Sequence, residues 1–195
     1  MYNKSGDTMD EQQFTDTRIV KTKHKIRQGL LELLLDKSFD DIAIKDICQQ
    51  SGVSRATFYL HYKDKNDLII KLQHEVMAKG KRVILNQLNS SRKAFFMTLL
   101  NFWQQEGEII LLLISDRGSE LIRQQVKKTL QANIEVSIIP IVRTQHLSTK
   151  EKYFLVIFLS NAIFGVLQDW VNRGRPETVE EVAGIMDKIY TSVFK

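Results

Sequence analysis

Proline, glycine and cysteine are scarce in this sequence, and each scarcity closes off a class of structure. Only 9 Gly and 2 Pro occur in 195 residues, too few to punctuate a fold of many short strands, which needs a turn roughly every 8–12 residues. An all-α fold is expected instead. The single cysteine, Cys48, excludes an internal disulfide, and with four scattered histidines it offers no metal-ligand spacing. No metal and no cofactor are expected. Residues 1–16 are polar and lack the apolar run of a secretory signal, and no later segment reaches the uninterrupted apolar length of a membrane span. A soluble, cytoplasmic protein is expected. Catalytic arrangements are missing as well: there is no Ser/His/Asp or Cys/His set and no Gly-rich phosphate loop. The chain does not read as an enzyme.

What is present is helical periodicity and unevenly placed charge. Net charge is +5, and the surplus is concentrated: from Arg18 to Arg82 there are 14 Lys or Arg against 8 Asp or Glu, whereas residues 1–16 set Lys4 against Asp7, Asp10, Glu11 and Asp16. Such a surplus attracts phosphate backbones or anionic surfaces, although a solvated basic face without a partner has the same composition. Residues 1–14 read as a disordered tail. A helix is expected over 15–37, with Ile26, Leu30, Leu33 and Leu34 on one face and Arg18, Lys21, Lys23, Lys25 and Arg27 in its polar N-terminal half. An acidic turn anchored by Phe39 and Ile42 leads to two short helices, 44–50 and 54–62, joined by Ser51-Gly52-Val53. Asp64 can cap a longer helix over 65–88 that doubles as a connector. Further helices are read at 92–105, 108–115, 119–139, 149–173 and 179–194, with breaks at Gly107, Gly118, Pro140 and Gly174-Arg175-Pro176. The last two open on capping boxes, Ser148 with Glu151 and Thr178 with Glu181. The organisation expected is a tail (1–14), a three-helix helix-turn-helix domain (15–64) and a helical bundle (65–195).

The strongest signal lies at 44–62. Two short helices that cross steeply need a small residue where they approach, and Cys48 supplies it. Gly52 suits the left-handed turn, Val53 plugs the angle and Ser54 is a good N-cap for the second helix. Ile47, Val53, Phe58 and Tyr62 point inward against Leu30, Leu34 and Phe39, which leaves Arg55, Ala56, Tyr59 and Lys63 outside. That outer face has what a major-groove reader needs: donors near the helix start for base edges, then hydroxyl and cationic groups for phosphates. Arg55 leads for a base contact. A helical hairpin in an ordinary bundle, or an interaction module whose basic face meets an acidic protein, has a similar pattern.

The flanks carry a resemblance. The run from Gly52 to Leu68, with Tyr59 and the Lys63-x-Lys65-x-x-Leu68 continuation, resembles the signature of the TetR/AcrR family of bacterial regulators, as do Ile26, Gly29 and Leu30 and the turn from Lys37 to Ile42. The resemblance covers about 60 residues. It implies an N-terminal DNA-binding domain, a larger helical domain for effector binding and dimerisation, and repression relieved by an effector. Residue by residue, it places Arg55, Ala56 and Thr57 at base-reading positions and Tyr59, His61 and Lys65 on the backbone; Lys45 is a further base or phosphate contact, and Ser54 and Lys63, at the two ends of the outer face, complete the candidate DNA-binding set. One departure stands out: the family often has Thr or Ser where this chain has Ala43 and Ile44, so a side-chain cap and a phosphate hydroxyl are missing.

The C-terminal two-thirds are rich in aromatics, most of them expected as plain core. Phe95, Phe102, Trp103, Phe158 and Phe164 are the candidates to line a pocket for a small-molecule effector. The last two helices are apolar over more than one face, notably Tyr153 to Leu159, so they must bury both sides. A homodimer through these helices would present two reading helices about one DNA turn apart. The stretch 165–181 also resembles the C-terminal domain of a TetR subgroup that includes the DhaS-type activators of dihydroxyacetone kinase operons. That resemblance implies an alternative in which the effector is a protein and the output is activation.

Overall fold

The computed structural model describes residues 7–87, 90–140 and 144–193. Among the described residues there are helices and no strands. The chain divides into two compact units, Met1–Leu68 and Ile69–Lys195.

In the first unit, α1 runs Asp7–Asp36, α2 Ile44–Ser51 and α3 Arg55–His61. α1 therefore starts earlier than the expected 15, and the part of the expected tail from Asp7 onward is helical; the rest lies outside the described residues. No Gly or Pro occurs between Asp7 and Arg27 to interrupt the helix. The apolar stripe does what its spacing predicts: Ile26, Leu30 and Leu34 are fully buried, with Phe39, Ile42, Ile47, Phe58, Tyr62 and Leu68 beside them in the core. Cys48 is buried too, and burial pushes its thiol pKa up, which disfavours the reactive thiolate. Gly29 lets α1 approach α2 backbone to backbone: a Cβ there would lie 2.9 Å from the Ser51 nitrogen.

α4 (Lys65–Asn86) begins in this unit and continues into the next. Its start carries a reciprocal cap, in which Asp64 Oδ1 accepts from the Asp67 N–H at 2.8 Å and Asp67 Oδ2 accepts from the Lys63 N–H at 2.9 Å. The first turn of α4 packs with the first unit, since Leu68 is buried in that core and the side chain of Lys65 is tied to the 39–42 turn.

The second unit is built from the rest of α4 with α5 (Arg92–Glu106), α6 (Glu108–Ile114), α7 (Glu120–Asn133), α8 (Thr149–Asn172) and α9 (Val179–Val193). α6 supplies the centre, with every residue from Ile109 to Ile114 buried. Arg92 clamps α5 to α9, reaching Asp187 at 2.7 Å and Thr191 at 2.8 Å. Gln168 ties α8 to the end of α6 by donating to the Ile114 carbonyl at 2.8 Å. Both predicted capping boxes form, since Glu151 and Glu181 each accept from the backbone N–H and the hydroxyl of their N-cap residue. The helix expected to run to 139 instead ends its α-helical ladder at Asn133 and widens into a π turn, Ile134–Ile138, closed by the Ile139 N–H on the Ile134 carbonyl at 2.9 Å. Pro140 follows and has no N–H to extend the ladder.

At 24 residues α8 is long and apolar enough, by length and composition alone, to cross a membrane, although Ser160, Asn161, Gln168 and Asp169 interrupt its apolar run. One side packs in the unit through Val156, Ser160, Leu167 and Trp170; the other leaves Phe154, Phe158 and Val166 exposed.

Candidate nucleic-acid interface

The turn between α2 and α3 is set by three local devices. Gly52 takes φ +63°, the left-handed region, and returns its N–H to the end of α2. The Val53 N–H follows onto the Cys48 carbonyl at 3.0 Å. Ser54 then caps α3, its Oγ accepting from the Thr57 N–H at 3.0 Å, and the Ser54 and Thr57 hydroxyls share a second bond of 2.8 Å. At the other end, Ala43 offers α2 no side-chain cap, as the sequence implied; Asp46 Oδ2 supplies half of one by accepting from the Ala43 N–H at 2.9 Å.

With Phe58 buried beneath it, α3 turns Arg55, Ala56, Tyr59 and Leu60 outward. Arg55 stands one turn before Tyr59 on the outer face, and hydrogen bonding to Tyr59 shifts its guanidinium pKa upward from an already high value. Tyr59 also stands edge-on to Phe58 at 5.7 Å, so its ring is oriented from below. Lys45 and Lys63 are exposed, and His61 is half-buried beside the Tyr62 ring. Ser54, Arg55, Ala56, Thr57 and Tyr59 thus share one helix start, with Lys63 just beyond its end.

Lys65 does not belong to this set. Its ammonium donates to the carbonyls of Phe39 at 2.8 Å, Ile42 at 2.9 Å and Asp40 at 3.2 Å, and it sits 4.6 Å from the centre of the Phe39 ring. Three N–H donors meet three acceptors. The expected phosphate contact is therefore corrected to an internal clasp that ties the start of α4 to the turn before α2. Leu60, conversely, was missed by the sequence reading. It is the most exposed large apolar residue of the described chain, at 81%, and its signal was its spacing of four from Ala56 on the outer face.

The effector candidates are not brought together. Phe102 and Trp103 are buried, Phe95 is half-buried, and Phe164 faces Lys127, whose ammonium is 5.9 Å from its ring centre. Phe102 fits against the bare backbone of Gly80, where a Cβ would lie 3.1 Å from its ring. Phe158 is 54% exposed on the outer side of α8, so it does not line an internal pocket. An apolar cavity bounded by Phe96, Leu99, Trp103, Ile163, Leu167 and Met186 holds about 20 Å³, well under the roughly 300 Å³ at which ligand pockets begin. One buried polar group was not anticipated: Gln73 of α4 is 1% exposed, its Nε2 has no partner among the described residues, and its Oε1 is 3.5 Å from the Thr129 hydroxyl.

A capped turn of this geometry with a cationic, hydroxyl-bearing helix on its outer side defines a helix-turn-helix DNA-binding protein. Two family models agree with that class. One, described as bacterial regulatory proteins of the tetR family, matches residues 26–72, and one described as a transcriptional regulator C-terminal region matches residues 91–192. The chain belongs to the TetR family of bacterial transcriptional regulators, a family of regulators rather than enzymes. Relatives in Bacillus subtilis (strain 168) include the HTH-type transcriptional regulator YxbF, 37% identical over 65 residues that make up 33% of this chain and 17% of YxbF. Another is YvdT, 29% identical over 98 residues, or 50% of this chain and 47% of YvdT. The match thus spans less than half the length of these relatives. The fold is shared with a TetR regulator from Streptococcus agalactiae 2603V (TM-score 0.60, 21% identity, 89% of this chain and 95% of that one). It is also shared with the fatty acid degradation regulator FadR from Bacillus halodurans (0.67, 14%, 89% and 96%) and with the dihydroxyacetone kinase operon activator DhaS (0.58, 16%, 88% and 94%).

Proposed function

We propose that this regulator reads a two-fold DNA operator as a cytoplasmic homodimer and acts as a repressor released by a small-molecule effector. Arg55, Ala56 and Thr57 meet base edges from the start of α3, Lys45 meets a base or phosphate, and Ser54, Tyr59, His61 and Lys63 hold the backbone. The observation that carries this reading is the Ser54-capped start of α3, which holds the exposed Arg55 at the head of a short helix with Ala56 and Thr57 beside it. Arginine is a cation at any physiological pH and donates bidentately to guanine O6 and N7.

Dimerisation is supported by the exposed faces of the last two helices. Phe154, Phe158 and Val166 of α8 and Ile185 and Ile189 of α9 are each at least 37% exposed, an apolar surface that a second copy would cover. Two copies would set two α3 helices about 34 Å apart, one turn of DNA. On this reading residues up to 64 form the DNA-reading domain and the remainder the effector and dimer domain. The buried Nε2 of Gln73 supports an effector that brings a hydrogen-bond acceptor.

The test is selection of bound sequences from random DNA followed by Arg55→Ala. The variant is expected to lose about 1–3 kcal/mol of discrimination at one position of each half-site while unrelated sequence is bound much as before. An unchanged preference at every position would sink the assignment. In vitro transcription from the selected site then separates repression from activation.

A further inference from the structure

The basic stretch of α1 has no role in the reading above, yet it is the most one-sided charge in the described chain. From Arg18 to Gln28 there are five Lys or Arg and no Asp or Glu. Lys21 and Lys25 are both exposed and stand one turn apart, on one face of the helix with Arg18. Like charges at this spacing oppose helix formation by a few tenths of a kcal/mol, a cost that a bound anion would remove.

Packing fixes where that face lies. The same side of α1 continues C-terminally into Gln28, Gly29 and Glu32. Gly29 meets Ser51 backbone to backbone, and Glu32 Oε2 accepts from Gln50 Nε2 at 2.6 Å while Glu32 Oε1 accepts from Gln28 at 3.1 Å. Ser51 closes α2, and the next residue is Gly52, whose turn delivers α3. The face carrying Lys21 and Lys25 is therefore the one aligned with the head of the reading helix. At 1.5 Å rise per residue, Lys25 lies about 6 Å and Lys21 about 12 Å along α1 from the Gly29 contact. A 6 Å step spans about two phosphates of one strand.

We propose that Lys21 and Lys25 form a second, sequence-independent DNA contact, on the phosphates that flank each operator half-site. The proposal rests on the operator-reading function above. The contact neutralises two phosphates per protomer, lengthens the bound site outward from the bases read by α3, and offsets the like-charge repulsion within α1.

The experiment uses the full chain and two duplexes: the selected operator ending at the outer half-site bases, and the same operator with flanks. Lys21→Gln with Lys25→Gln is compared with wild type across 50–200 mM salt. On the flanked duplex the variant is expected to lower the slope of log K against log salt by about 1.8 per protomer, equally for operator and unrelated sequence. On the trimmed duplex the two proteins bind alike. Thermal unfolding of the variant is expected at or above the wild-type midpoint, since a repulsion has been removed. An unchanged slope on the flanked duplex overturns the α1 contact, with Arg55→Ala still altering base preference. If instead the slope falls but Arg55→Ala changes nothing, the base-reading assignment fails and the α1 contact stands.

Discussion

Replacing Lys65 by Met keeps an unbranched side chain of similar length and removes the ammonium, with its three bonds of 2.8, 2.9 and 3.2 Å to the Phe39, Ile42 and Asp40 carbonyls and its place 4.6 Å from the centre of the Phe39 ring. A hydrogen bond from a charged group contributes about 1.5–3 kcal/mol where water is excluded. Two of these bonds are partly buried and the one to Asp40 is exposed, so water recovers part of the loss. A net cost of about 2–3 kcal/mol follows. With a urea m-value of about 1–3 kcal/mol/M for a small unit, the midpoint of the first unit should fall by about 1 M. Urea unfolding by circular dichroism measures it, and amide exchange at Ile42 and Ile47 locates the loss in the clasped turn. In the folded protein the salt dependence of operator binding stays at the wild-type slope. A variant that unfolds like wild type, yet loses about 0.9 of slope per protomer, would put Lys65 on a phosphate and refute the clasp.

Two other outcomes follow from the second unit. The carboxyls of Glu151 and Glu181 are held below the ordinary range, Glu151 first by the Ser148 hydroxyl and Glu181 first by the Thr178 N–H. A depressed folded pKa stabilises above the unfolded carboxylate value and loses that stabilisation as pH falls through the folded one. The wild-type melting temperature should therefore drop more on acidification through the carboxylate range than that of Glu151→Gln with Glu181→Gln, and parallel profiles would discount the caps. Phe158→Glu places a charge in the exposed apolar face of α8 and should convert a dimer to a monomer at micromolar concentration. Sedimentation that finds the variant still dimeric would move the interface elsewhere.

What could be read from the sequence was what depends on near neighbours. The left-handed Gly52, the Ser54 cap and the capping boxes at 148 and 178 each involve residues a few positions apart, and the burial of Ile26, Leu30 and Leu34 follows from spacing alone. Lys65 was opaque because its acceptors lie 23 to 26 residues away, and a backbone carbonyl leaves no mark on side-chain pattern. Its flanking motif suggested a phosphate; the fold had already supplied three oxygens. The pocket aromatics failed for a related reason, since helical spacing places Phe158 on α8 without saying which neighbour covers that side. Leu60 was overlooked because an apolar residue on a reading face is indistinguishable, by composition, from one in a core.

The contact between Gly29 and Ser51 has a consequence for how such a protein changes its target. The separation of α1 from the reading pair is set by the absence of a single carbon, at a buried position that faces no ligand. A Cβ added there would lie 2.9 Å from the Ser51 nitrogen, closer than packed atoms tolerate, so α1 and α2 could keep their contact only by shifting. Gly29→Ala is therefore expected to change how the outer face of α3 is presented while every side chain on it stays the same, which a comparison of operator preference with the native chain would detect.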